Sequence, residues 1–232
     1  MKTSLILCSC ALLALSSCST TKTIKFSEKQ NDVYTTENLK EFLKKNKNPK
    51  VVLRVPEVSI NTTTQENIDY LYNSIENQLL SSGFVVRDRQ LFNQIIENES
   101  NNVDYEKLKE KSDTDLIIEL TKLDPSILYE TNQFYDKKNR VRTEKEGIHE
   151  RYGASVEFKV VSIENNEYAG MYKLNYTPCT YGCIVSQSFK DLRKELKDKK
   201  KKEAEPYEGV EKDVLEEFIK DATIKLVNEM RY

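Results

Sequence analysis

The run Leu116-Ile117-Ile118-Glu119-Leu120 constrains the fold more than any other part of the sequence. An apolar stretch without alternation is the pattern of a strand buried on both faces, inside a sheet covered by helices. Two shorter β-rich runs precede it: Val51-Val52-Leu53-Arg54-Val55, stopped by Pro56, and Phe84-Val85-Val86. Between them Thr63 and Glu66 form a capping box, and Ile68, Leu71, Tyr72, Ile75 and Leu79 recur at helical spacing up to Gly83. Asp88 caps a second helix carrying Leu91, Phe92, Ile95 and Ile96 on one side, and Tyr105 and Leu108 mark a further helical patch after Asp104. Strand–helix–strand units of this kind imply parallel neighbours joined by crossovers.

The second half has a different rhythm. Residues 124–150 are polar and charged, with Pro125 near the start, and read as an irregular insertion. Then Tyr152, Ala154, Val156, Phe158 and Val160 alternate, Glu164-Asn165-Asn166-Glu167 makes a turn, and Tyr168, Gly170, Tyr172, Leu174 and Tyr176 alternate again. This is a β-hairpin with one buried face. Val210, Val214, Leu215, Phe218, Ile219, Ala222, Leu226 and Met230 mark a long amphipathic C-terminal helix. The expected fold is α/β (α+β): a single mixed sheet of about five strands with helices packed on it.

The start of the chain carries a different signal. Lys2 is a short basic region, Leu5 to Leu15 is apolar but too short to span a bilayer as a helix, and Leu15-Ser16-Ser17-Cys18 follows. That tetrad resembles a lipobox, in which small residues fit the peptidase groove and the cysteine thiol takes the lipid. The resemblance implies a signal peptide over residues 1–17, lipidation at Cys18, and a triacylated bacterial lipoprotein. Several acyl chains hold a protein at a membrane where one does so only marginally. Ser19 in place of an acidic residue resembles an outer-membrane sorting signal, so the expected location is the outer membrane, facing the periplasm. Residues 18–48, rich in Ser, Thr, Lys, Asn and Gln, read as a lipidated flexible tether, with Leu39, Phe42 and Leu43 as a short helical patch. The globular domain is expected over 49–232, with a Lys-rich segment at about 187–206.

Two cysteines remain after the anchor, Cys179 and Cys183. In a straight strand this spacing would set their Cα atoms about 13 Å apart, beyond bonding reach, but Pro178 and Gly182 suggest a turn. They are a disulfide candidate, permitted by an oxidising compartment, with free thiols as the alternative.

Ser82-Gly83-Phe84-Val85-Val86-Arg87-Asp88-Arg89 followed by Leu91, Ile95 and Ile96 resembles a glycine, apolar strand, arginine and helix segment of CsgG-like and LpoB-like lipoproteins. Asp113-Thr114-Asp115-Leu116-Ile117-Ile118 resembles their next strand, and Val156-Phe158-Val160 with Tyr168-Gly170 their hairpin. The resemblance covers residues 50–177 and the final helix, and implies a fold similar to the N-terminal domain of TolB. Glu119 stands where the family often places glycine. Pore-forming members insert apolar hairpins, whereas residues 124–150 hold Asp136, Lys137, Lys138, Arg140, Arg142 and Glu144. Each such charge facing lipid costs a few kcal/mol, which argues against a pore.

Little in the residue inventory points to catalysis. His149, the one histidine, sits among charges with no nucleophile beside it, and Asp113 and Asp115 flank a strand start, where capping is the default role. No phosphate loop, nucleophile elbow or metalloprotease motif is present. Thirty-six basic against 38 acidic residues give a net charge of −2, which supplies no field for nucleic acid. No cofactor or metal is expected. The sequence therefore suggests a non-enzymatic adaptor or regulator binding another envelope protein, a peptidoglycan synthase or a secretion component, with Arg87 and Arg89 as candidate partner-binding residues. Two alternatives stay open: a small hydrolase or glycan- or peptide-binding lipoprotein, and a self-assembling ring, which would make the chain a homo-oligomer.

Overall fold

The apolar runs at 51 and 116 become adjacent parallel strands, with Val51 opposite Leu116, Leu53 opposite Ile118 and Arg54 opposite Glu119. The computed structural model describes residues 21–54, 69–97, 105–145, 147–186 and 209–232. Cys18, the Thr63–Glu66 capping box and the Lys-rich segment lie outside the described residues.

In chain order the elements are β1 (Thr21–Ile24), β2 (Asp32–Thr35), α1 (Glu37–Lys45), β3 (Lys50–Arg54), α2 (Asp69–Ser81), β4 (Val85–Val86), α3 (Arg89–Glu97), α4 (Tyr105–Ser112), β5 (Leu116–Thr131), β6 (Gln133–Tyr135), β7 (Val141–Thr143), β8 (His149–Ser162), β9 (Glu167–Tyr176), β10 (Cys183–Ser186) and α5 (Lys212–Arg231). The chain is α+β, as expected, but its strands form two sheets rather than one. A six-stranded sheet runs β2-β9-β8-β5-β3-β4, and a four-stranded sheet runs β10-β1-β6-β7. They belong to two compact units. Among the described residues the smaller takes 21–25, 131–145, 147–149 and 181–186, and the larger takes the rest.

In the larger unit β3, β4 and β5 are parallel, while the β8–β9 hairpin and β2 are antiparallel. Helix α2 ends as its sequence dictates. Gly83 takes a left-handed φ of 86°, and the Phe84 N–H reaches the Leu79 carbonyl at 3.1 Å, closing the helix with a glycine only its missing Cβ permits. One sheet face buries Val51, Leu53, Ile118, Val156, Phe158, Tyr172 and Leu174 against α1, α2 and α5. The other buries Val52, Ile117, Val161 and Ile163 against Phe92 of α3 and Leu108 of α4. Apolar burial on both sides of β3 and β5 explains their unbroken hydrophobic runs.

Three expectations are corrected. Residues 21–45 supply β1, β2 and α1 in place of a flexible tether. β2 pairs with β9 through its backbone, which needs no apolar sequence, and Leu39 and Leu43 of α1 are buried. Helix α1 also has a cap: the Thr36 hydroxyl accepts from the Leu39 N–H at 3.3 Å. The 124–150 insertion is not irregular, because β5 continues to Thr131 and β6 and β7 follow as a hairpin. The globular part therefore begins well before residue 49.

Candidate functional site

Arg87 and Arg89 leave the end of β4 at the start of α3, and both line a concave cleft of about 620 Å3 against α2. The loop is held from both ends. The Arg87 N–H donates to the Val51 carbonyl at 2.7 Å, and Asp88 accepts from the Leu91 N–H at 2.8 Å, the expected cap of α3.

Each arginine has a structural partner. Arg87 donates through Nη2 to the Asp113 carboxylate and through Nε to its carbonyl, at 3.2 Å for the latter. Lys50 Nζ meets the same carboxylate at 2.6 Å, and the Lys50 hydrogen bond holds Asp113 below the usual carboxylate range, with the Arg87 charge adding to it. Asp115 accepts the Lys50 backbone N–H at 2.9 Å. The two aspartates are thus braces for the β3–β5 edge, and no cluster of metal-ligating groups occurs among the described residues. Arg89 lies over the Tyr72 ring at 4.7 Å and stands 4.0 Å from Glu76. Burial raises Glu76, against the lowering effect of Arg89, and pushes the Tyr72 phenol up to about 12. The cleft offers two arginines, the carboxylates of Glu76 and Asp88 and the amides of Asn73, Asn77 and Gln90, a set suited to a polar ligand.

A second surface was not anticipated. On the face of the larger sheet that carries Val161, register places Lys159, Met171 and Tyr34 in one row across β8, β9 and β2, and Glu157, Lys173 and Asp32 in the next. Directly opposite residues share a face. Tyr34 is 64% exposed, Met171 62% and Tyr168 64%. Lys159 Nζ lies 3.5 Å from the Tyr168 ring centre, and Lys173 pairs with Glu157 at 2.8 Å. An aromatic and methionine patch rimmed by charge has the anatomy of a protein interface.

Both Cys179 and Cys183 are disulfide-bonded, and they are the two cysteines among the described residues. His149, in the smaller unit, pairs with Glu144 at 2.8 Å, and Glu144 also takes Lys22 at 2.6 Å. That placement gives the histidine a structural partner.

The described residues define an α+β protein whose larger sheet packs helices α1, α2 and α5 on one face and α3 and α4 on the other. No protein-family model matches the chain, and no curated protein sequence matches it. Among solved structures it is similar to a PelC dodecamer from Paraburkholderia phytofirmans, at 9% identity over 88% of this chain and 100% of that one, TM-score 0.42. It is also similar to a hypothetical protein from Chlamydia trachomatis, at 12% identity over 78% and 98%, TM-score 0.36. A third is a homolog of a neuraminyllactose-binding hemagglutinin from Helicobacter pylori, at 10% identity over 78% and 84%, TM-score 0.36.

Proposed function

We propose that the protein is a lipid-anchored, periplasm-facing outer-membrane adaptor whose work is to bind another envelope protein, a peptidoglycan synthase or a component of a secretion assembly. The observation that carries this reading is the exposed Tyr34, Met171 and Tyr168 patch on the face of the larger sheet away from α1, α2 and α5. Tyrosine side chains held on rigid strands supply contact area at low entropic cost, and the flexible methionine adapts to an irregular partner surface. The CsgG-like and LpoB-like resemblance supports the same assignment, with Cys18 as the lipidated residue.

The cleft beneath Arg87 and Arg89 favours a second reading, a polar glycan or peptide ligand, because Glu76, Asn73 and Asn77 converge on it with Arg89. Self-assembly into a homo-oligomer is a third reading, with a second copy on the Tyr34, Met171 and Tyr168 patch. Chemical cross-linking of the tagged, lipidated protein in living cells, followed by mass spectrometry, separates them. One dominant envelope protein supports the adaptor. Self-adducts alone favour an oligomer, and capture of neither turns attention to ligands of the cleft.

A further inference from the structure

The smaller unit has two unlike faces. On one, Lys22 lies over Phe134 at 4.7 Å and pairs with Glu144, and Ile24 is fully buried. On the other, register aligns Ile184 of β10, Thr23 of β1, Tyr135 of β6 and Val141 of β7 in one row across all four strands. Ile184 is 69% exposed and Val141 52%, and Tyr181, beside the β10 strand, is 98% exposed. Lys25 extends over the Tyr135 ring at 4.9 Å, and Lys137 and Lys138 are exposed at the β6–β7 turn.

We infer that this face rests on the phospholipid headgroup surface beside the lipid anchor. The inference depends on the proposed lipidation of Cys18, and the position of β1 supplies its occupant. Thr21, the first residue of β1, is three residues beyond Cys18. Three peptide links reach at most about 11 Å. A lipidated Cys18 therefore holds the start of β1, an inner strand of the four-stranded sheet, within about 11 Å of the headgroup layer, with little length to stand away. Ile184, Val141 and Tyr135 are the apolar and amphipathic side chains that enter an interface, and Lys25, Lys137 and Lys138 are cations that meet anionic headgroups. The charged β6–β7 turn excludes spanning and suits lying on the surface.

The chain contains no tryptophan, so one introduced residue reports alone. Full-length Ile184→Trp and Val141→Trp variants, matured in cells, are placed in phosphatidylethanolamine–phosphatidylglycerol vesicles with and without brominated acyl chains, and the N-terminal peptide is weighed for acylation. Both reporters are expected to lose about half of their emission to bromine, the depth of an interfacial group. Adding Val141→Glu to Ile184→Trp is expected to reverse most of that loss. An acylated Cys18 with unquenched reporters overturns this inference alone. A blue shift without quenching does the same by giving the face to a protein or a second copy. An unacylated Cys18 overturns the lipoprotein reading and this inference together.

Discussion

Tyr34 of β2 and Met171 of β9 stand directly opposite each other and are both mostly exposed, on the sheet face away from α1, α2 and α5. Under the adaptor proposal this pair is part of the contact surface and contributes little to folding. Met171→Glu and Tyr34→Lys are expected to change unfolding free energy by no more than about 0.5 kcal/mol, as surface substitutions do, while reducing partner capture severalfold. Urea denaturation beside quantitative pull-down checks the separation; loss of stability in step with capture would return the pair to a structural role.

The interior carries the opposite expectation. Phe158 packs between the sheet and the helices at 1% exposure, and Phe158→Ala should cost about 3–5 kcal/mol in urea unfolding.

Gly153 is constrained by space. A Cβ there would lie 2.5 Å from the Tyr176 carbonyl oxygen and 2.6 Å from the Tyr129 ring. Gly153→Ala should cost about 1–3 kcal/mol through overpacking, although the same change in open structure is harmless. A thermal shift within error of the parent would contradict it.

Buried tyrosines are expected to weaken the fold at alkaline pH. Burial raises both Tyr72 and Tyr172 from 10.0 to about 12; at Tyr172 the Thr35 hydroxyl, 2.8 Å away, opposes the shift and Glu229 adds to it. The folded chain keeps protons that the unfolded chain releases, so this contribution is intact below pH 10 and is lost as pH rises from 10 to about 12. Burial also raises Tyr176, so phenolate absorbance should show Tyr72, Tyr172 and Tyr176 ionising after the exposed tyrosines, together with alkaline unfolding.

Acid acts with the opposite sign. The hydrogen bond from Lys50 lowers Asp113, and that from Lys22 lowers Glu144, with His149 assisting. Their contribution is present above the ordinary carboxylate range and disappears as pH falls through the depressed values. Lys50→Met and Lys22→Met should flatten the acid limb of a stability–pH curve.

The parts legible in the sequence were those where one period governs burial. The β8–β9 hairpin and α5 bury the residues their alternation and helical spacing select, from Ala154 to Leu174 and from Leu215 to Met230. Tyr168 shows where that reasoning fails. Counted by alternation it belongs with Tyr172, but the register shift between Val160 and Val161 turns it to the outer face, opposite Val161. β1, β2, β6 and β7 are not legible in the sequence because polar strands are held by backbone pairing, which leaves no apolar signature. At the site, the sequence offers Arg87 and Arg89 as partner-binding candidates, and both line one cleft. Glu76, Asn73 and Asn77 share it through helical spacing on the polar face of α2, a signal present in the sequence but identical to that of any solvated helix.

The most direct test of the adaptor reading is site-specific photo-cross-linking in living cells from positions 34 and 171, with position 224 on α5 as the control. The account expects one envelope protein to be captured from both 34 and 171 and little from 224. Absence of any adduct at 34 and 171, or equal capture from 224, would contradict it.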